Sequence, residues 1–275
     1  MRVALYQSRT GIDPAVNAAA LVDAIAQAKA GGADMLFTPE MSGLLDRDRK
    51  RAASHLRTQD GDQVLAAVRK AAADARLWVH LGSLALREGS QDRLVNRGLV
   101  IDDKGAVRGH YDKIHLFDVD LPTGESWRES AAYAPGERSV IVRTPWAALG
   151  LSVCYDMRFP DLYRALSNAG ATILAVPAAF TVPTGKAHWH VLLRARAIEA
   201  GAFVIAAAQW GDHEDGRATY GHSLVVDPWG DVLLDMGEGE GVGFADLDMA
   251  RLADVRMQVP ALQHRRPIGP VEQLG

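Results

Sequence analysis

The chain has 275 residues, a mass of 29.6 kDa and a formal net charge of −4, from 30 basic and 34 acidic side chains. With 48% apolar and 23% charged residues it has the balance of a soluble globular protein with a sizeable core, and the near-neutral charge argues against an electrostatic nucleic-acid binder or a polybasic membrane module. The single cysteine, Cys154, rules out an internal disulfide framework and any multi-thiolate metal site.

The start, Met1 to Pro14, turns polar at Gln7, too early for a secretory apolar region, and the longest predominantly apolar stretches, 171–180 and 202–208, fall short of the ~18 residues a bilayer span needs. These features predict a cytoplasmic protein without a membrane segment. No linker or repeat interrupts the chain, so it reads as one domain over 1–275.

Val3 to Tyr6 predicts a strand. Pro14 to Ala30 predicts a helix, with Asp13 as N-cap, Pro14 at the first helical position, an apolar stripe of Ala18, Leu21, Val22, Ile25 and Ala28, and Gly31-Gly32 closing it. A strand at Met35 to Thr38 runs into Pro39-Glu40. A helix from Asp62 to Ala75 precedes a strand from Trp78 to Leu84 and a meander of Leu94 to Ile101 and Val107 to Lys113. Val140 to Arg143 and Leu149 to Cys154 read as paired strands, followed by a helix over Asp161 to Ala169 and a buried strand over Thr172 to Val176. A helix from His188 to Ala200 leads to the strand Phe203 to Ala208 and a hairpin over Ser223 to Leu234. Gly237 to Gly241, glycine-rich but acidic, is expected to be a hairpin loop. A further strand, a helix from about Met249 and a basic tail at His264-Arg265-Arg266 complete the chain. Interleaved strands and helices, several strands apolar on both faces, predict an α/β domain of two packed sheets under outer helices.

Three segments carry candidate chemistry. Cys154 ends an apolar strand just before a helix, a position that presents a nucleophile beside backbone N–H groups able to receive an oxyanion. A lone cysteine also serves as a small buried hydrophobe, but the charged Asp156 and Arg158 close by favour the chemical role. Glu40 follows a strand and a proline, where α/β folds place ligand-facing residues; it equally suits a solvated loop. Lys113 stands where a strand opens into an irregular segment, as an ordinary edge charge or as an ammonium beside a thiolate. No histidine stands in a cysteine-protease setting.

The segments Phe37 to Ser42, Tyr111 to Asp118 and Leu151 to Arg164, in that order, resemble the glutamate, lysine and cysteine signatures of the nitrilase (carbon–nitrogen hydrolase) superfamily. The likeness continues through Pro177 to Ala179, His188 to Glu199, Tyr220 to Ser223, Val226 to Gly230 and His264 to Pro267, and so covers nearly the whole chain. It implies a four-layer α-β-β-α sandwich, commonly paired with a second subunit, so a homodimer or higher homo-oligomer is expected. It implies an amidase acting through a cysteine thioester on a small carboxylated amide, with no metal and no other cofactor. Carried over, Cys154 is the nucleophile, Glu40 the general base, Lys113 with the Tyr155 N–H the oxyanion site, and Glu129 the carboxylate that positions substrate and lysine.

Within the family the chain is most similar to the branch that acts on deaminated glutathione and on ω-amides; the resemblance implies cleavage of deaminated glutathione to 2-oxoglutarate and cysteinylglycine, with ω-amidase action on 2-oxoglutaramate and 2-oxosuccinamate as the alternative. Arg158 is then expected to pair with a substrate carboxylate, or else with Asp156 or Asp161, and Phe180 to line the pocket. The basic tail is similar to a segment that packs near the subunit interface. Two positions depart from the family pattern: His190 stands where relatives commonly have glutamate, and Lys186 where proline is common. His188 and His190, two apart on a helix, point to different faces and are expected to be a buried packing histidine and a surface one rather than a metal pair. A nitrilase-fold scaffold without turnover is the alternative of another class.

Overall fold

The computed structural model describes residues 1–89, 93–120 and 124–274. The first half of the chain runs β1 (Arg2–Gln7), α1 (Pro14–Ala30), β2 (Met35–Phe37), α2 (Arg49–Ala53), α3 (Gln63–Ala75), β3 (Trp78–Arg87), β4 (Leu94–Ile101) and β5 (Val107–Asp112). The short ribbon β6 (Asp118–Asp120) and β7 (Ser126–Arg128) follows, then β8 (Val140–Arg143), β9 (Ala148–Leu151), α4 (Pro160–Asn168), β10 (Ile173–Ala175), α5 (Val182–Ala200) and β11 (Phe203–Ala206). A second ribbon, β12 (Trp210–Asp212) and β13 (Ala218–Tyr220), precedes β14 (Leu224–Val226), β15 (Val232–Asp235), β16 (Gly241–Asp246), α6 (Met249–Gln258) and α7 (Ala261–His264).

Two six-stranded sheets form, ordered β16-β1-β2-β3-β4-β5 and β15-β14-β11-β10-β9-β8. Each is parallel at its centre and antiparallel at its edges. Strand alternation divides β1 between two cores: Val3 and Leu5 join the cluster that holds Ile173, Ala175, Phe203 and Ile205, whereas Ala4 joins α1 and α3. On α1, Leu21, Ala24, Ile25 and Ala28 repeat at helical spacing and are buried, each large side chain contributing about 1.5–3 kcal/mol. Asp13 caps this helix by accepting the Ala15 N–H at 2.8 Å, and Asp62 caps α3 through Leu65 in the same way. On the other sheet Trp189, Leu193 and Ala197 of α5 and Leu162 and Leu166 of α4 are buried in the cluster that contains β9, β10 and β11. The layering is therefore helix, sheet, sheet, helix, as expected.

Several local expectations are corrected. Val22 on α1 is 38% exposed, off the buried stripe. The strand toward Cys154 ends at Leu151, and Cys154 opens a 3₁₀ turn, Cys154–Arg158. α5 begins at Val182 rather than His188, because Pro183 sits in its first turn, where a missing N–H costs nothing. Gly237 to Gly241 is a crossover, not a hairpin loop: β15 pairs with β14 in one sheet and β16 with β1 in the other. The Gln7 side chain holds that crossing by donating to the carbonyls of Gly237 and Gly239 at 2.9 and 2.7 Å. In the basic tail, Arg265 donates to Ser167 Oγ at 3.1 Å and to the Glu199 carbonyl at 3.2 Å, tying the tail to the ends of α4 and α5.

One irregularity positions the site. The register of β3 against β4 shifts between Leu81 and Leu84, and the chain leaving β2 crosses that shift at Gly82. A Cβ there would lie 2.0 Å from the Thr38 carbonyl oxygen and 2.4 Å from that of Pro39. Thr38 Oγ1 accepts the Gly82 N–H at 3.0 Å, and Ser83 Oγ accepts the Met41 N–H at 2.9 Å, so Glu40 is held on both sides. Gly82→Ala is expected to cost about 3 kcal/mol by overpacking against backbone, read as a lowered urea midpoint, and to lower activity in the fraction that stays folded. An unchanged midpoint would show that the crossing can relax.

Candidate active site

Four side chains from four places in the chain meet at the ends of the two sheets. Glu40 lies three residues beyond β2 and is 4% exposed; Lys113 follows β5 directly and is 2% exposed. The Lys113 N–H donates to the Asn96 carbonyl at 2.9 Å, which continues the β4–β5 ladder to the point where its ammonium is needed. Cys154 adopts φ +49°, left-handed for a non-glycine residue, and its N–H donates to Pro177 O at 2.8 Å. Asp156, fully buried, accepts the Val153 N–H at 2.8 Å, the Tyr111 hydroxyl at 2.8 Å and the His115 N–H at 3.0 Å. It fastens the cysteine turn to the segment that carries Lys113. Glu129 opens a short 3₁₀ turn, Glu129–Ala131, after β7.

Lys113 Nζ donates to Glu40 Oε1 at 2.9 Å and to Glu129 Oε2 at 2.8 Å. Asn96 Nδ2 bridges the same two carboxylates, at 2.9 Å to Glu40 Oε1 and 3.1 Å to Glu129 Oε1. The Ala179 N–H donates to Glu40 Oε2 at 2.9 Å and the Phe117 N–H to Glu129 Oε2 at 2.7 Å. Both carboxylates are thus fixed in orientation by donors from separate elements.

The electrostatics follow from this packing. Burial pushes the Glu40 carboxyl up, but the Lys113 ammonium, with hydrogen bonds from Lys113, Cys154 and Asn96, outweighs burial and holds it below the ordinary carboxylate value. Burial pulls Lys113 down, yet the charges of Glu129 and Glu40 outweigh that and raise it well above the ordinary lysine value. Cys154 is pushed well up, by burial first and then by the Glu40 charge, against the opposing pull of Lys113. The resting site therefore holds a neutral thiol beside an ionised carboxylate and a fixed cation. Such a set can deprotonate the thiol as it attacks and can stabilise an anion next to Lys113.

These groups open into a cavity of about 1280 Å³ whose wall includes Glu40, Lys113, Glu129, Cys154, Tyr155 and Phe180. Arg47 and Arg49 also face it and have no carboxylate partner among the described residues; Arg49 donates only to the carbonyls of Ala131 and Arg128. Arg217, on the same wall, pairs with Asp215 at 2.7 Å and lies 5.1 Å over the Trp127 ring.

The structure brings Glu40, Lys113, Cys154 and Glu129 together and puts Tyr155 and Phe180 on the cavity wall. It sets Arg158 off that wall: its guanidinium lies 5.8 Å over Tyr155 and 5.4 Å over Phe180 and contacts His188 Nδ1 at 3.3 Å, with neither Asp156 nor Asp161 as partner. His188 is exposed, not the buried packing histidine expected. Sequence reasoning missed Asn96, whose one signal was its place with Arg97 as the polar pair of an otherwise apolar strand, and the Ala179 N–H, which leaves no side-chain signal. It also missed Arg47 and Arg49, which lie in the segment between Ser42 and α3 that sequence reasoning assigned to no element or motif.

A model of the carbon–nitrogen hydrolase family matches residues 2–257. The chain is 41% identical over 271 residues to the deaminated glutathione amidase of Homo sapiens, covering 96% of this chain and 82% of that protein. The crystal structure of the C. elegans NitFhit protein superposes with a TM-score of 0.89 at 36% identity, covering 96% of this chain and 65% of that longer one. A variant of an amidase from Nesterenkonia sp. AN1, solved with the acetamide moiety of fluoroacetamide added covalently at its active-site cysteine, superposes with a TM-score of 0.82 at 29% identity, covering 97% of this chain and 94% of that one.

Proposed function

The chain belongs to the carbon–nitrogen hydrolase family, and from that premise we propose that it cleaves the amide of deaminated glutathione, releasing 2-oxoglutarate and cysteinylglycine. The observation that carries this reading is the Lys113-clamped Glu40 carboxylate beside the single thiol, Cys154, on the wall of a cavity also faced by Arg47 and Arg49, which have no carboxylate partner among the described residues. In the proposed reaction Glu40 takes the thiol proton as sulfur bonds to the amide carbonyl carbon. Lys113, with the Tyr155 N–H, faces the oxyanion, a contribution of roughly 3–4 kcal/mol if it matches a single oxyanion donor. Glu129 holds Lys113 from the far side. Glu40 then protonates the departing nitrogen as the C–N bond breaks and the amine leaves. Next it deprotonates a water that attacks the thioester, and the proton returns to sulfur as the C–S bond breaks. Every proton and electron pair is accounted for by groups of this chain and water.

Two features support the tripeptide-sized substrate. A volume of about 1280 Å³ exceeds the usual span of small-ligand pockets, and Arg47 and Arg49 offer charge for the carboxylates at the two ends of such a molecule. In a turnover comparison, deaminated glutathione is expected to exceed 2-oxoglutaramate and 2-oxosuccinamate in kcat/KM by about tenfold or more, since one desolvated charge contact is worth that much. A preference for the two small ω-amides would replace this substrate with an ω-amidase assignment.

The reading also takes the chain to act as a single hydrolase domain, supported by the span of the family match, and as a homodimer. Val191 and Ile198, 67% and 53% exposed on α5, support a covered face there. A reactive thiol at the centre of the chemistry supports a reducing, cytoplasmic setting. No helix among the described residues is long and apolar enough to cross a membrane.

A further inference from the structure

Away from the cavity wall, α5, the turn before β14 and the end of β15 bring His190, His222 and Asp235 together. Asp235 Oδ2 lies 2.9 Å from His190 Nε2 and 3.2 Å from His222 Nδ1, and three donor atoms of the group lie within 4.8 Å of one another. Asp235 Oδ1 accepts the Gly237 N–H at 2.9 Å and also lies 2.9 Å from His222 Nδ1, so both oxygens of the carboxylate face His222 and Oδ2 reaches both rings. His222 is held from three sides. Its carbonyl accepts the Trp189 indole N–H at 2.8 Å, the Tyr220 ring stacks on its imidazole at 4.4 Å, and its backbone is kept at φ +54°. Such strain in a non-glycine residue persists only where the surroundings over-determine it. The three side chains are 23–33% exposed, open to an ion from solvent.

We propose that these residues form a divalent transition-metal site of the zinc class, with His190 Nε2, His222 Nδ1 and Asp235 Oδ2 as ligands and a fourth position open to water. Bonds of about 2.0–2.2 Å in a tetrahedron separate neighbouring ligand atoms by about 3.3 Å. The two nitrogen–oxygen separations already stand near that value, and the two nitrogens lie within 4.8 Å of each other. On binding, each imidazole carries its proton on the nitrogen turned away from the ion and presents a lone pair, while Asp235 supplies the charge. Two imidazoles and one carboxylate favour zinc, cobalt or nickel over calcium or magnesium, which take oxygen sets. His190 is one of the departures from the family pattern, and a carboxylate in its place would not supply this nitrogen. The ion would join α5 to β15 and to the turn, between β13 and β14, that follows Tyr220. Tyr220 packs against Gly185, next to the cavity-lining Thr184, so occupancy stiffens one wall of the cavity.

The test uses the full chain with Cys154→Ala, which removes the thiol as a competing ligand. Calorimetric titration with Zn²⁺ is expected to show one ion per chain, and a hundredfold excess over Kd to raise Tm by about 5 °C. Co²⁺ should give the strong visible absorption of a four-coordinate centre. Asp235→Ala and His222→Ala are expected to weaken binding at least 100-fold. His190→Gln, which keeps a polar side chain of similar reach, should weaken it more than tenfold with the metal-free Tm little changed. Absence of binding up to about 1 mM Zn²⁺ would overturn the site. So would equal affinity in His190→Gln and its parent.

Discussion

Cys154→Ala is expected to leave a folded protein whose amide hydrolysis is lower by about 10⁵-fold or more, the scale at which removal of a covalent nucleophile registers elsewhere. The side chain is small, and exchanging it for a methyl group leaves the Cys154 N–H on Pro177 O, so a stability change of only about 1 kcal/mol is expected. The Asp156 contacts that shape the turn come from other residues and stay in place. Loss of turnover with a urea midpoint shifted by no more than about 1 kcal/mol corresponds to would separate chemistry from folding. Because Cys154 rests as a thiol rather than a thiolate, its reactivity depends on Glu40 taking the proton during attack. Iodoacetamide, which presents an amide to the site, is therefore expected to label Cys154 quickly near neutral pH, and Glu40→Gln to slow that labelling. A wild-type thiol that labels only as slowly as an ordinary buried cysteine would favour a nitrilase-fold scaffold. Turnover surviving in Cys154→Ala would remove the nucleophile assignment altogether.

The sequence was most readable where the controlling forces are local. α1 runs from Pro14 to Ala30 as expected, because its N-cap, first-turn proline and closing glycines all lie within its own segment. β4 spans Leu94–Ile101 as expected for the same reason, an apolar segment broken only by Asn96, Arg97 and Gly98 and closed by the turn residues Asp102 to Gly105. The crossover at Gly237 to Gly241 could not be read this way. Whether β16 turns back on β15 or crosses to β1 depends on a partner more than 200 residues away, and no local pattern carries that choice. The site divides along the same line. Glu40, Lys113, Cys154 and Glu129 were legible as a resemblance of motifs, and the structure brings them within reach of one another. Asn96 and the Ala179 amide act through Glu40 and are defined by its position in space. For Arg158, spacing along the chain does not reveal that its guanidinium lies over the rings of Tyr155 and Phe180.

Lys113→Met tests the clamp itself. Methionine keeps the length of the side chain and removes the cation that sits 2.9 Å from Glu40 and 2.8 Å from Glu129. Two carboxylates then share one Asn96 amide with no balancing charge, a situation that costs about 3–5 kcal/mol when one partner of a buried ionic group is removed. Turnover is expected to fall by about 10³-fold, because the proposed oxyanion donor is lost and Glu40 is no longer held ionised for the proposed proton transfer. The two losses respond oppositely to pH, and this distinguishes the clamp from simple packing damage. In the wild type the Glu40 carboxyl is lowered from 4.5, so its stabilising contribution is present above that value and is lost as pH falls through the folded-state value. Without Lys113 the largest influence on Glu40 is burial, which raises it. The contribution then reverses: it is favourable below about 4.5 and is lost as pH rises through the new folded-state value. The stability gap between wild type and variant is therefore expected to shrink steadily as urea unfolding is repeated from pH 7 toward pH 5, while the acid limb of kcat/KM moves to higher pH. A gap independent of pH would mean that Lys113 acts through packing alone, and the carboxylate would then owe its ionised state to the Asn96, Ala179 and Cys154 hydrogen bonds.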